Sequence, residues 1–317
     1  MNENFWQGKN VLVTGADGFI GSHLTEKLLS LGANVSVFVN LPYPFRPRNL
    51  MHLQHQLKQV IVGDIGGQDA IKLIKQNNPD IILHLAAEAQ VNFSFDHPRE
   101  VMRTNVIGTI NVLDAALDLN IERIVCTSSS EVYGTAQYVP IDEKHPLNPV
   151  TPYAASKAAA DRYCFTYFTT YKVPVAVIRP FNTFGPRHTY DVIPFFINKA
   201  LKSEPLPVYD DGSQTRDFTY VDDMVDAFLV MSSDKKAVGE FVNFGTGKET
   251  SIKNIADMII KFSGTSSTIK FVQGRPADVK RLCCDYTKAK NLFRWKPKVP
   301  LEEGLKRNIV WARNNMK

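Results

Sequence analysis

Short runs of β-branched and aliphatic residues recur through the first 180 positions, at Val11–Val13, Val35–Asn40, Val60–Asp64, Ile81–Ala86, Ile124–Ser128 and Val175–Pro180. Each run is apolar almost without interruption rather than alternating, the pattern of a strand covered on both faces. Between them lie helical stretches near 19–31, 67–77, 98–119 and 153–172. Strands alternating with helices predict an α/β fold with a parallel sheet, and right-handed crossovers make that sheet doubly wound in the Rossmann manner. After about residue 180 the pattern loosens. A loop rich in Pro, Gly and Asp (Leu206–Gly212) separates helices expected near 191–203, 222–233, 251–262 and 301–315. The expected division is a sheet domain over 1–180, joined by part of 214–245, and a smaller irregular C-terminal lobe from the remainder of 181–317.

Composition narrows the partners. At 317 residues, 44% hydrophobic and 22% charged, the chain is long and apolar enough for two ordinary domains and is not intrinsically disordered. No apolar run approaches the ~20 residues needed to span a bilayer. The polar stretch Met1–Lys9 leads straight into a strand-like run, so no signal peptide is expected. The net charge of +5 is spread along the chain, which predicts neither a nucleic-acid nor a membrane partner. Cys126, Cys164, Cys283 and Cys284 form no CxxC pair, and the reading is reduced thiols in the cytoplasm. The seven histidines show no metal-ligand spacing, so no metal is expected. His84, inside an apolar strand, reads as a packed core residue.

Candidate chemistry begins after the first strand. The segment TGADGFIGS (14–22) places Gly15, Gly18 and Gly21 between a strand and a helix. Gly15 permits the tight turn, Gly18 lets the backbone approach a pyrophosphate, and Gly21 lets the helix pack on the strand. The helix N-terminus favours the anion. A tight structural turn alone would show the same glycines. Strand two ends at Asn40 without the carboxylate that would hold an NAD ribose. Arg46 and Arg48 follow, and arginine suits a 2′-phosphate, so NADP is favoured over NAD unless these arginines are merely solvated. Asp64 and Ile65 follow strand three as candidates to embrace the adenine, with a turn cap as the plainer role for Asp64.

Tyr153 and Lys157 are four residues apart on one helix face. A free tyrosine titrates near 10, too high for a base at neutral pH, and a neighbouring ammonium would lower it. Upstream, Ser128-Ser129-Ser130-Glu131-Val132-Tyr133-Gly134 follows a strand. Serines there are often only caps. The order of glycine turn, serine-rich strand end and YxxxK helix is far more specific than any one part.

With these landmarks, and with GDI (63–65), HLAAE (84–88), TNVIGT (104–109), PYAASK (152–157), RPFNTFGPR (179–187), QTRDFTYVDD (214–223) and NFGTG (243–247), the chain resembles the extended short-chain dehydrogenase/reductases of the nucleotide-sugar epimerase/dehydratase group over essentially its whole length. The resemblance implies a tightly bound NAD or NADP held by Gly15, Asp17, Gly18, Phe19, Ile20, Gly21, Leu85, Ala86, Ala87, Tyr153, Lys157 and Pro180. It implies a nucleotide-diphosphate sugar contacted by Glu88, Gln90, Ser94, Ser129, Ser130, Asn182, Arg187 and Arg216, with Arg275 completing a diphosphate clamp. Val192, Pro207, Val208 and Tyr209 would line the base pocket and Asp278 would hold the ribose. It further implies a homodimer built from the helices near 98–119 and 153–172.

Aligned on Val132-Tyr133-Gly134, Ser129 takes the position that contacts the sugar O4, and Glu131 takes the carboxylate position of sugar 4,6-dehydratases. Ser130 stands where glucose-type dehydratases carry Asp and mannose-type ones carry Ser. Oxidation at C4 acidifies C5–H, and a carboxylate suits removal of that proton. A plain 4-epimerase needs no such group, and the bland role for Glu131 is a salt bridge at a strand end. The expectation is an NDP-hexose 4,6-dehydratase with Ser129, Glu131, Tyr153 and Lys157 as catalytic residues. The alternatives are a UDP-sugar 4-epimerase, a UDP-glucuronate decarboxylase and a non-enzymatic NAD(P)-binding regulator. Regulators of that kind typically lose the Tyr or the Lys, and this chain keeps both.

Overall fold

Successive residues of a strand point to opposite faces, so a strand buried throughout lies in a sheet covered on both sides. Val11, Leu12 and Val13 are all fully buried, and so are Ile81, Ile82 and Leu83. The computed structural model, which describes residues 3–40, 49–274 and 279–315, places both runs at the centre of a seven-stranded sheet. Its first six strands are β1 (Asn10–Thr14), β2 (Asn34–Val39), β3 (Gln59–Val62), β4 (Ile81–His84), β5 (Arg123–Thr127) and β6 (Val175–Pro180), and the seventh is Phe241–Phe244. The spatial order is β3-β2-β1-β4-β5-β6-(241–244). The first six strands run parallel, with Val11 opposite both Val35 and Ile81. Val177 N–H donates to Glu240 O, and Phe181 N–H donates to Phe244 O four residues further along both strands, so the seventh strand is parallel too. The order reverses at β1, the switch point where such sheets bind ligands.

The chain divides into two compact units. The first comprises residues 1–132, 149–179 and 225–242. In it, helices Ala70–Asn77, Gly108–Leu117 and Pro152–Tyr171 bury Ile74, Val112, Leu113 and Cys164 with Leu12, Ile82, Ile124, Val175 and Val177 of the sheet. At about 1.5–3 kcal/mol per large aliphatic side chain, this core outweighs the surface ion pairs. Helix Pro152–Tyr171 is also pinned to β6 by a buried pair, Arg179 Nε to Asp161 Oδ2 at 2.8 Å. Burial alone would raise the Asp161 carboxyl, but Arg179 and Arg162 outweigh it and hold the group below the usual range.

Element by element, the strands lie within one or two residues of their expected bounds. The stretch 98–119 differs. It is a short helix Pro98–Met102, a π-helical turn Arg103–Ile107 and a helix Gly108–Leu117. Its wide turn lies where the loop after β3 docks. A Cβ on Gly66 would meet Arg103 O at 2.8 Å, and one on Gly108 would meet Ile65 Cγ2 at 2.8 Å. Asn111 Nδ2 then donates to Ile65 O at 2.8 Å. Helix Val91–Asp96, strand Phe241–Phe244, helix Thr287–Phe293 and the short strands after residue 180 carried no expectation, and Leu206–Tyr209, expected within a loop, is a strand because it pairs with Ile269–Val272.

The second unit comprises residues 133–148, 180–224 and 243–317. Strands Leu206–Tyr209 and Ile269–Val272 pair in parallel, and helices Val192–Leu201, Ile252–Ser263 and Leu301–Asn315 belong to it. Two landmark motifs meet here on one buried carboxylate. Asp217 accepts from Thr246 N and Gly247 N at 2.8 Å each and from Cys284 N at 3.1 Å. Burial raises its pKa while these bonds oppose the rise. Tyr133 Oη donates to Asn243 Oδ1 at 2.7 Å, which joins the VYG and NFGTG segments. Among the described residues no helix is long and apolar enough to cross a membrane.

Candidate active site

β1 ends at Thr14 and the chain turns at Gly15, φ +67°. A Cβ at Gly15 would lie 2.7 Å from Ala86 N, and one at Gly21 would lie 2.3 Å from Gly15 O. Both glycines are therefore required by backbone on backbone, and no side chain caps the helix Phe19–Ser30 that follows. This bare cradle at the switch point fits a dinucleotide pyrophosphate. Gly15→Ala is expected to cost at least ~1–2 kcal/mol from the left-handed backbone alone, with the clash against Ala86 added, measured by chemical denaturation.

The remaining cofactor candidates are placed as follows. Asp17 turns back on the chain, its Oδ1 accepting from Asn49 N at 2.8 Å and Leu50 N at 3.2 Å. Phe19 is buried edge-on to His23, and Ile20 is half-buried. Asn40 is exposed at the end of β2, and Arg46 and Arg48 lie outside the described residues. Asp64 pairs with Arg103 and caps Gly66 N, while the Ile65 side chain belongs to the core. Leu85 N donates to Thr14 O, Ala86 and Ala87 are half-buried, and Pro180 closes β6.

β5 delivers the catalytic candidates. Ser129 is buried, and its Oγ accepts from Glu131 N at 3.1 Å, capping a single 3₁₀ turn Ser130–Tyr133. That contact uses a lone pair and leaves the hydroxyl proton of Ser129 to donate. Glu131 is half-buried and Ser130 buried on the same turn. Helix Pro152–Tyr171 opens with Thr151 Oγ1 accepting from Ala154 N, and so presents Tyr153 and Lys157 on one face. Lys157 is buried and donates from Nζ to Thr127 O at 2.8 Å, two residues before Ser129. Burial pulls its pKa down to about 8, with Cys126 and Cys164 opposing.

Asn105 carries no expectation from sequence, although TNVIGT is one of the landmarks. It is buried, its Oδ1 accepts from Glu88 N at 2.8 Å, and its Nδ2 donates to Glu88 O at 3.0 Å and to Ser156 Oγ at 2.9 Å. Ser156 Oγ in turn donates to Tyr153 O at 2.7 Å. One amide thus ties the loop after β4 to the helix that bears Tyr153. Its signal was its place in TNVIGT, between the buried Val101 and Val106. Gln90 is exposed, and Ser94 is buried with its hydroxyl donated to Val91 O.

Beneath the site runs a chain of hydrogen bonds. Ala86 N donates to Thr14 Oγ1 at 3.1 Å, and Thr14 Oγ1 is 2.8 Å from His84 Nδ1. His84 Nε2 is 3.1 Å from Thr109 Oγ1, which donates to Asn105 O at 2.7 Å. Thr109 spends its one proton on Asn105 O and so accepts from His84 Nε2, and the neutral ring then accepts from Thr14 at Nδ1. Burial, aided by Lys157, drives its pKa to about 3.

In the second unit, Asn182 Oδ1 and the Thr219 hydroxyl are buried without a hydrogen-bond partner among the described residues. Arg187 sits at φ +68° and Val192 opens helix Val192–Leu201. Arg216 is buried, with Nη1 donating to Thr215 O at 2.9 Å and Val279 O at 2.6 Å. Pro207 and Tyr209 share one face of their strand. Val208 turns to the other, so close to Gly212 that no Cβ would fit there. Arg275 and Asp278 lie outside the described residues.

The GDP-mannose 4,6 dehydratase family model matches residues 12–308. A UDP-glucose 4-epimerase of Mycolicibacterium smegmatis is 36% identical over 309 residues, 96% of this chain and 98% of its own. UDP-glucuronic acid decarboxylase 1 of Xenopus tropicalis is 37% identical over 97% of this chain and 73% of its own. The structure of DesIV, a dTDP-glucose 4,6-dehydratase from Streptomyces venezuelae solved with NAD bound, superposes with a TM-score of 0.90 at 31% identity, covering 96% of this chain and 97% of that one. The chain belongs to the nucleotide-sugar dehydratase and epimerase family of extended short-chain dehydrogenases/reductases. Relatives that share a third of its residues carry out different reactions, so the family alone does not choose among them.

Proposed function

We propose that the protein is an NAD-dependent nucleotide-diphosphate-sugar 4,6-dehydratase. The observation that carries this reading is the turn at the end of β5, where Ser129 caps the residue that bears a carboxylate, Glu131. NAD is preferred to NADP because the solved relatives hold NAD, and the expectation built on Arg46 and Arg48 gains no support from them. The glycine cradle with Leu85 and Ala86 would hold it, and when bound it supplies the acceptor and donor of a hydride.

In this reading Tyr153 takes the O4 proton of the hexose as C4 is oxidised. Lys157, fixed on Thr127 O, supplies the charge that favours the tyrosinate. Ser129 donates its free hydroxyl proton to the forming ketone. Glu131 takes the C5 proton and returns a proton to the departing C6 hydroxyl, so one water leaves and a C5–C6 double bond forms. In the second unit, Arg187 and Arg216 are proposed to hold the diphosphate, with Asn182 Oδ1 accepting from the substrate. Exposed Met102, Ile107, Leu117 and Tyr163 on the two helical stretches named above support a homodimer. The four cysteines are free thiols, which suits the reducing cytoplasm.

A 4-epimerase is the second reading, favoured by relatives so named. It would use Ser129, Tyr153 and Lys157 and leave Glu131 idle. Mass spectrometry of the purified protein with UDP-, GDP-, CDP- and dTDP-hexoses decides. A product lighter by one water is expected. A changed sugar at unchanged mass would mean the epimerase, and loss of carbon dioxide from a glucuronate the decarboxylase.

A further inference from the structure

Asp210 stands just past strand Leu206–Tyr209, which runs beside Ile269–Val272. Its N–H donates to Val272 O at 2.8 Å, one residue beyond the strand. The chain then turns in the left-handed region, with Asp210 at φ +51°. Its Oδ1 accepts from Gly274 N at 2.9 Å, and a Cβ on Gly274 would lie only 2.3 Å from Oδ2. The two strand ends are therefore clamped twice, once through the main chain and once through this carboxylate. Tyr209 stands at the same end, 39% exposed on the face it shares with Pro207.

Non-glycine residues held in a left-handed conformation cluster at ligand clamps. Glycine would make this turn with less strain, but it could not reach Gly274 N–H. We propose that Asp210 is a positioning residue, which fixes the ends of the two strands so that Tyr209 presents a rigid wall to the base of a nucleoside diphosphate. This rests on the nucleotide-sugar reading and adds to it a residue outside the expected contacts.

The test is titration calorimetry of the purified protein with UDP, dTDP, GDP and CDP, using wild type, Asp210→Gly and Asp210→Asn, with melting temperatures alongside. The nucleotide that binds wild type is expected to bind Asp210→Gly about tenfold more weakly, because the Tyr209 wall must then be ordered as the nucleotide binds. The melting temperature should stay level or rise, because glycine relieves the strained turn. Asp210→Asn should recover affinity to within about threefold, since asparagine tolerates this backbone and still accepts from Gly274. With a turned-over hexose, the Asp210→Gly loss should fall on KM rather than kcat. Unchanged affinity in Asp210→Gly overturns the proposal. So does weaker binding accompanied by a lower melting temperature, which would make the role structural only. Failure of wild type to bind any of the four overturns the nucleotide-sugar reading itself, a result distinct from equal binding by wild type and variant.

Discussion

Replacing Tyr153 with phenylalanine is expected to lower kcat by about 10²–10⁴-fold, the range for loss of a positioned acid–base group. The substitution removes one oxygen from a buried ring. The helix start at Thr151, the Asn105–Ser156 link and the Lys157 anchor do not involve that oxygen, so the fold and the bound cofactor should persist. Stopped turnover with unchanged melting and undiminished cofactor absorbance would confirm the role, whereas activity within a few-fold of wild type would remove Tyr153 from the mechanism. The pH profile of wild type carries the same logic. Burial lowers Lys157 to about 8, so its ammonium is present below that pH and lost above it. A tyrosinate that depends on this charge loses its support as pH rises, and kcat is expected to fall on the alkaline side.

The second large effect is that of Glu131→Gln. Glutamine keeps the shape of the side chain and leaves the Glu131 N to Ser129 Oγ bond intact, since that bond is made by the backbone. It cannot take the C5 proton. Water elimination should therefore drop about 10²–10³-fold while oxidation at C4 proceeds, and reduced nicotinamide should accumulate in the absorbance spectrum. Full dehydration by this variant would sink the role assigned to Glu131, and an epimerase would be indifferent to the change.

Much of the unit that bears these residues was legible before any coordinates. Runs such as Val11–Val13 and Ile81–Leu83 are apolar throughout because both faces of the sheet are covered, and covered strands announce themselves. Gly15 and Gly21 were legible because backbone packing at a switch point tolerates no other residue. What escaped was set at long range. Phe241–Phe244 is a four-residue strand whose only distinction is its neighbour β6. Asn105 gains its role from Glu88 and Ser156, 17 and 51 residues away. Asp217 reads as one acid among several until it meets Thr246, Gly247 and Cys284. Val208 faces away from Pro207 and Tyr209, because a strand sends adjacent side chains to opposite faces.

The hydrogen-bond chain through Thr14, His84 and Thr109 begins at an amide, which can only give, and ends at a carbonyl, which can only receive. Such a chain has one direction and no mirror-image state. Burial, aided by Lys157, drives the His84 pKa down to about 3, so near neutral pH the ring takes no second proton and the chain stays intact. The hydrogen bonds beneath the Gly15 turn thus form a fixed dipole. Lys157, which donates to Thr127 O beside this chain and which burial lowers to about 8, is the neighbouring cation that responds to pH near neutrality.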